Sequence, residues 1–368
     1  MRSRANTSRG RTIALLKAAP SRPDAQDTRG TVIAQTIRAL LSWTLARRFA
    51  WILLPRLQCA VQALRGRWRG RGYAHQLSRL RAEAPGRDVS PDRRFAGVED
   101  DFWHWLIRQS YTDRKTFDGV LPGFPDETVQ VRFTGSSGEL MLWQAFCDYR
   151  MFRTLAAAHG RPVPMCHAIL DFGCGWGRIA RFFLKDIPGD RLWGIDANPD
   201  AVEICRRDNR WSRFEVVNTL GPTAFPDGTF DLVYSFSVFS HFSEDMHLRW
   251  LEEIQRILRP GGVFIATTRP RDFIEQSVLD RIRRPFTRHP EAIAGMFRGT
   301  RGWLADYDDG RYCFEPLPGM AWWGETCISR AYVLRHWTKY FEIVEYIDDP
   351  RRCPQNVIVA RLRADPRP

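Results

Sequence analysis

The sequence contains no Cys-x-x-Cys pair, although it has eight cysteines, at 59, 147, 166, 174, 205, 313, 327 and 353. That spacing argues against a thiolate metal cage. Several of them sit in apolar strand or helix contexts, as reduced core thiols of an intracellular protein do. Acidic residues are scarce at the start. Residues 1–97 hold 5 Asp/Glu against 20 Lys/Arg, a net of +15, whereas the other 271 residues hold 37 against 35. The basic balance of the whole chain, +13, therefore belongs to its first quarter and says little about the rest. Within residues 31–68 no uncharged stretch reaches the ~20 residues that a bilayer span needs, because Arg38, Arg47, Arg48, Arg56, Arg65 and Arg67 interrupt it. No internal repeat is present.

The first segment, 1–97, reads as a basic N-terminal extension, partly disordered and partly helical. Residues 1–30 are rich in Arg, Ser and Pro and poor in large apolar side chains, the composition of a disordered arm. From residue 31 to 68, Ile33, Ile37, Leu40, Leu41, Leu45, Ile52, Leu53, Leu57, Val61 and Leu64 recur mostly at helical steps. Pro55 is placed to kink or divide that helix. Three uses fit the pattern: a basic amphipathic helix on an anionic membrane surface, an organellar transit peptide, or a helix packing its apolar stripe on the main domain. Residues 66–97 read as a linker, with a short helical option around 74–84. Residues 98–165 read as a helical lead-in to the following domain. A short aromatic helix comes first, then an extended segment from Val129 into a glycine-rich loop, then a helix over about 140–159.

The chain is organised around Ile169-Leu170-Asp171-Phe172-Gly173-Cys174-Gly175-Trp176-Gly177-Arg178-Ile179-Ala180. An apolar run suited to a buried strand gives way to glycine at every second position and then to an amphipathic helix over 176–187. Glycines there leave bare backbone amides at a helix start, where a ligand can lie. A second strand ends in Asp196 about 20 residues on, as in nucleotide-binding folds. A dinucleotide fingerprint needs Gly-x-Gly-x-x-Gly, and Arg178 stands where its third glycine belongs. Strand and helix then alternate: Asn198-Pro199 opens a helix, 213–217 is a third strand, and Phe225-Pro226-Asp227-Gly228 turns into a fourth. Ser243 caps a helix that Pro260-Gly261-Gly262 stops, and a fifth strand follows. After Thr268 the alternation is broken by about 60 residues, well beyond usual loop lengths, which marks a lid-like insertion at about 270–328. A helix from 329 and strands at 341–347 and 356–362 complete the series.

The Gly-x-Gly-x-Gly run after Asp171 resembles motif I of class I S-adenosylmethionine-dependent methyltransferases. Pro226-Asp227-Gly228-Thr229-Phe230-Asp231-Leu232-Val233 and Leu258-Arg259-Pro260-Gly261-Gly262 are similar to recurring segments of the same family. The resemblance implies an α/β fold: a Rossmann-like, doubly wound seven-stranded sheet with an antiparallel last strand, occupying 166–368. It implies S-adenosyl-L-methionine as cofactor, with Gly173, Gly175 and Gly177 against its methionine part. Asp171 then orients the loop or the cofactor amine, and Asp196 binds both ribose hydroxyls. Asn218 stands where many relatives have an acid near the adenine amine; its amide oxygen can still accept that bond, and a turn-forming role is the alternative.

Ser235, Ser237 and His241 follow the fourth strand, at the carboxyl-end crevice where open α/β sheets bind ligands. His241 there is a candidate general base for a hydroxyl acceptor, or else a residue that holds the loop before Ser243. Phe236, Phe239, Trp322 and Trp323 are candidates for the acceptor wall or plain core. The Asn/Asp-Pro-Pro-Tyr/Phe motif of amino-methylating nucleic-acid enzymes is replaced by Tyr234-Ser235-Phe236-Ser237, and the Pro-Cys motif of cytosine C5-methyltransferases is missing there. No carboxylate cluster suggests a magnesium site. The expectation is metal-independent O- or N-methylation of a small-molecule, glycan or lipid-linked acceptor by a cytoplasmic enzyme, with peripheral membrane contact through the basic helix. Two alternatives stay open: a nucleic-acid methyltransferase using the basic arm, and a non-catalytic protein that only binds the cofactor.

Overall fold

The computed structural model describes residues 54–83, 89–112, 119–275 and 300–364. The disordered arm expected over 1–30, the helix expected before residue 54 and most of the basic helix expected from Phe273 lie outside the described residues. The sheet has seven strands: β1 Ile169–Phe172, β2 Leu192–Asp196, β3 Arg213–Val216, β4 Phe230–Ser235, β5 Leu258–Thr268, β8 Glu342–Ile347 and β9 Asn356–Arg361. Their order is β3-β2-β1-β4-β5-β9-β8. β1 to β5 pair in parallel, and β9 runs antiparallel to both β5 and β8. β1 and β4 are buried at every residue, so both read as near-continuous apolar runs and not as alternation. Two further strands, β6 Cys313–Leu317 and β7 Met320–Cys327, form a separate antiparallel hairpin inside the insertion.

Helices cover both faces. On one face lie α2 Asp100–Thr112, α4 Gly138–Ala158 and α5 Ala180–Phe183; on the other lie α7 Glu244–Ile257 and α9 Arg330–His336. The first face is aromatic: Trp103, Phe146, Tyr149 and Phe182 are fully buried, and the Trp103 indole donates to the Phe182 carbonyl at 2.9 Å. Asp100, at the start of α2, takes a two-pronged contact from Arg153 of α4 (2.8 and 2.5 Å) and a third from Lys185 (3.1 Å). These cations hold the Asp100 carboxyl below its usual range against the opposing effect of burial, which is the largest single influence on it. A carboxylate shared this way ties α2 and α4 to the segment after β1.

Four local expectations are corrected. The helix expected over 176–187 is a single turn, α5, because the three glycines before it take left-handed backbone and the chain turns until Ile179. The segment from Val129 is helical, not extended: α3 spans Glu127–Thr134 and ends on a left-handed Gly135. Its alternating valines mimic a strand, but Gln130 is the buried residue and Val131 is 47% exposed. The loop expected between Trp303 and Trp323 contains α8 Thr300–Asp308 and the β6–β7 hairpin. The linker expected from residue 66 is helical to residue 83, in α1 Leu54–Glu83. Glycines at 66, 70 and 72 weaken a helix intrinsically, and tertiary contact overrides that preference here: Tyr73 is buried, with ring centroids 5.0 Å from Phe102 and 5.5 Å from Trp105 of α2.

Tyr73 thus joins α1 to the main core. Tyr73→Ala should lower unfolding free energy by about 3 kcal/mol, the usual cost of removing a buried aromatic ring. A urea titration showing a change within 0.5 kcal/mol, the size of an ordinary surface substitution, would mean that α1 does not share the cooperative unit.

Candidate functional site

At the end of β1 the backbone passes through Gly173, Gly175 and Gly177 with φ of 74°, 53° and 75°. L-residues avoid this region, so the glycine repeat is a conformational requirement. Space adds to it: a Cβ on Gly173 would stand 2.2 Å from Val238 Cγ2. The loop is anchored to β2. Gly173 and Cys174 donate their N–H groups to the Ile195 carbonyl (2.9 and 3.0 Å), and Gly175 donates to Asp196 Oδ2 (2.8 Å). Asp196 Oδ1 accepts from Asn198 N at 2.9 Å. Asn198 in turn caps α6, Pro199–Asp208, by accepting from Asp200 and Ala201 N–H groups. The Asp196 carboxylate therefore keeps acceptor capacity for a ligand hydroxyl. Burial raises the pKa of Asp196, and the backbone N–H groups that it accepts hold it down.

Gly173, Gly175 and Asp196 form one wall of a cavity of about 1350 Å³ over the carboxyl edge of the parallel strands. Single small-molecule pockets are ~300–1,000 Å³, so this space exceeds what one cofactor needs. Phe133 and Trp143, from α3 and α4, stand in its walls, as do Phe236 and Val238 after β4 and Trp322 and Trp323 of β7. The insertion thus contributes a wall. It is stitched to the loop after β4 by backbone bonds: Ser243 N to Trp322 O at 3.0 Å, Gly324 N to His241 O at 2.8 Å and Thr326 N to Ser240 O at 2.8 Å.

Not every expected residue reaches the cavity. Gly177 lies behind the loop, facing Cys205 Sγ, which a Cβ would approach to 3.2 Å. Asp171 is buried beneath it with Oδ2 unpaired, although the Tyr234 hydroxyl is a neighbour. Burial pushes the Asp171 carboxyl up to about 7, with Tyr234 and Arg178 pulling the other way. Ser235, the last residue of β4, is fully buried and its Oγ has no partner. Asn218 is exposed and turned to its own loop, accepting from Leu220 N at 2.9 Å, while its neighbours Val217 and Thr219 stand in the wall. Phe239 is core. Among the described residues no three His, Cys, Asp or Glu side chains gather as a metal-ligating group.

His241 does stand in the cavity wall. Its ring stacks on Trp323 with centroids 4.9 Å apart, and Nδ1 lies 2.7 Å from the Gly324 carbonyl. A carbonyl only accepts, so Nδ1 carries the proton and Nε2 keeps the lone pair. Burial, helped by the Arg269 charge, lowers the His241 pKa to about 4, while the Gly324 carbonyl opposes the shift. Ser237, also in the wall, is the one non-glycine residue with positive φ (59°) among the described residues. Such strain costs on the order of 1–3 kcal/mol and concentrates at functional sites. Gln355, from the connection between β8 and β9, donates from Nε2 to Ser237 Oγ at 2.9 Å and lines the same cavity. Nothing in the local sequence singles out Gln355; only the pairing of β9 with β5 brings it here.

If the cradle takes the cofactor that the glycine motif implies, Gly173→Ala should abolish binding, since the new methyl collides with Val238 and the backbone resists φ of 74°. Asp196→Ala should weaken binding by ~2–3 kcal/mol, the scale of hydrogen bonds to a charged group. Calorimetry with S-adenosylhomocysteine checks both; unchanged affinity in a folded variant removes that residue from the site.

Comparison with known proteins gives the cradle a family. Residues 169–262 match the family model described as "Methyltransferase domain". The chain is 37% identical over 124 residues to a probable methyltransferase, ltbC, of Aspergillus luteorubrus, covering 31% of this chain and 42% of that protein. It is 28% identical over 172 residues to a fatty-acid O-methyltransferase of Mycolicibacterium smegmatis, covering 40% of this chain and 62% of that protein. The chain thus spans about half of the length of these curated relatives. The crystal structure of the PH0226 protein from Pyrococcus horikoshii aligns over 59% of this chain and 92% of that one, at 18% identity and a TM-score of 0.39. The glycine cradle and the acid at the end of β2 both lie inside the matched stretch, so residues 169–262 carry a methyltransferase domain.

Proposed function

We propose that this chain methylates an oxygen or nitrogen of a small-molecule or lipid-like acceptor, using S-adenosylmethionine and no metal. One observation carries the reading: a single cavity joins the glycine cradle and Asp196 to an aromatic wall built by the insertion. The cradle fits the cofactor, because Gly173 and Gly175 present bare backbone to the cavity and Asp196 retains acceptor capacity. Bound there, S-adenosylmethionine supplies a methyl on a sulfonium whose departure as a neutral thioether needs no acid. The protein's contribution is then orientation and exclusion of water. Trp322, Trp323 and Phe236 cover the acceptor side, and Nε2 of His241 takes the proton of a hydroxyl acceptor as the new bond forms. The fatty-acid O-methyltransferase relative supports a lipid-like acceptor.

The same reading places the protein peripherally on an anionic membrane surface inside the cell. α1 carries seven arginines and one glutamate. Leu57 and Val61, one helical turn apart on it, are 53% and 46% exposed, and the neighbouring Arg56 lies at the cavity. Basic and apolar side chains together favour the surface of an acidic bilayer.

Incubating the protein with methyl-labelled cofactor and a cell extract should put label into organic-soluble, small or lipid-like products. Label recovered in nucleic acid, or cofactor binding without turnover, overturns the reading. His241→Ala should cut turnover of a hydroxyl acceptor by ~10²–10⁴-fold while leaving cofactor affinity intact. The pH profile is altered by the site. An imidazole with its ordinary pKa would give turnover rising through about pH 6.5, but one lowered to about 4 is neutral throughout pH 6–8. Turnover should therefore be insensitive to this group over that range and fall only as pH drops through about 4. A His241-dependent rise between pH 6 and 7 would show that the ring is solvated in the working enzyme.

A further inference from the structure

Four of the five arginines at the cavity are ion-paired, and the two nearest the loop after β4, Arg178 and Arg269, are paired in the buried wall. Four arginines stand in its walls, Arg178, Arg269, Arg351 and Arg352. Each faces an acid: Asp148 at 2.7 Å, Glu325 at 2.5 Å, Asp349 at 2.8 Å and Glu345, shared with His159, at 3.1 Å. Arg178 also lies over the Phe236 ring at 4.7 Å, and Arg269 over Phe273 at 4.0 Å. Arg56, a fifth, is on the exposed rim. Beside the loop after β4 the lining also offers Ser237 Oγ, the carboxamide of Gln355 and the ring of His241, while the nearby Glu325 is taken up by Arg269.

Gln355 is the unusual member. Because β9 runs against β5, its first residues lie at the carboxyl edge of the parallel strands, where Asn356 pairs with Thr268. The Gln355 side chain is only 4% exposed, and its Nε2 is committed to Ser237 Oγ. Its Oε1 completes no hydrogen bond within the protein. Ser237 is itself fixed, since its N–H donates to Thr267 Oγ1 at 2.8 Å and its Oγ lies 3.0 Å from Ser240 Oγ. A buried amide oxygen without a partner is destabilising unless a ligand supplies the donor. The lone pair on His241 Nε2 is likewise an acceptor.

Resting on the methyl-transfer reading above, we infer that the acceptor's reacting head group is uncharged and proton-bearing, as in an alcohol, phenol or neutral amine, and that Gln355 is the residue that positions it through Oε1. A carboxylate has no proton for Oε1 and would have to compete with Glu325 or Asp148 for a guanidinium already paired, which is unfavourable in a desolvated wall. The assignment separates this site from one built to esterify a fatty acid.

The test is binding, independent of turnover. With S-adenosylhomocysteine present at pH 8, the full-length protein is titrated calorimetrically with decanol, decyl methyl ether and decanoate. Decanol should bind about tenfold more tightly than the ether, the scale of one lost hydrogen bond in a desolvated site, and more tightly than decanoate. Gln355→Leu should remove the preference for decanol over the ether, whereas Gln355→Glu, which keeps an acceptor oxygen there, should retain it. Decanoate binding as tightly as decanol, or a decanol-to-ether ratio unchanged in Gln355→Leu, overturns the inference. Binding of none of the three overturns it too; retained S-adenosylhomocysteine binding in that case leaves the methyltransferase assignment standing.

Discussion

Everything at the site depends on three alternating glycines being able to hold left-handed backbone. With φ positive at 173, 175 and 177, the chain leaves β1, folds back to bond the end of β2 and enters α5 only at Ala180. The anchoring bonds run to Ile195 and Asp196, so the loop and the acid are set as one unit. The close approach of Val238 to Gly173 then fixes how near the loop after β4 can come. A single methyl at 173 would part these two loops, and with them the walls of the cavity.

The other side depends on the insertion. Its hairpin adds Trp323 to the loop after β4 through an isolated bridge with Phe242 and the flanking backbone bonds. The same hairpin determines the chemistry of His241, since the Gly324 carbonyl selects the tautomer and the Trp323 ring excludes water from one face. The low pKa of this imidazole is a property of the assembled wall and not of the residue. An insertion that looks peripheral in the chain thus sets the protonation state of the group best placed to take a proton.

Much of this was legible in the sequence where the signal is local. The glycine spacing, the acid after β2, the Ser243 cap and the order of strands follow from short windows. Helix and strand assignments failed where tertiary contact decides: α1 continues through three glycines because Tyr73 finds Phe102 and Trp105, and α3 imitates a strand by alternating valine with polar residues. Of the expected ligand-facing residues, Asn218 satisfies its own turn, which a short amide side chain does readily. Gln355 carried no signal at all. Its place is a consequence of antiparallel pairing between strands about 90 residues apart.

Beneath the cavity the fold tolerates polar groups that packing alone would remove. Asp171 and Tyr234 are buried side by side at the ends of β1 and β4, the centre of the sheet, and Ser235 Oγ is buried there without a partner. Desolvation pushes the Asp171 carboxyl up to about 7. A positive charge brought into the cradle above it would favour the ionised form and release a proton. The site thus holds a strained residue, Ser237, and a polar group without a partner, Ser235 Oγ. Aromatic packing on both faces of the sheet offsets this: Trp103 and Phe182 on one side, Trp337 and Phe264 on the other, all fully buried. Local rules are broken where the ligand must go and kept everywhere around it, the pattern expected when function is placed on a fold with stability elsewhere to support it.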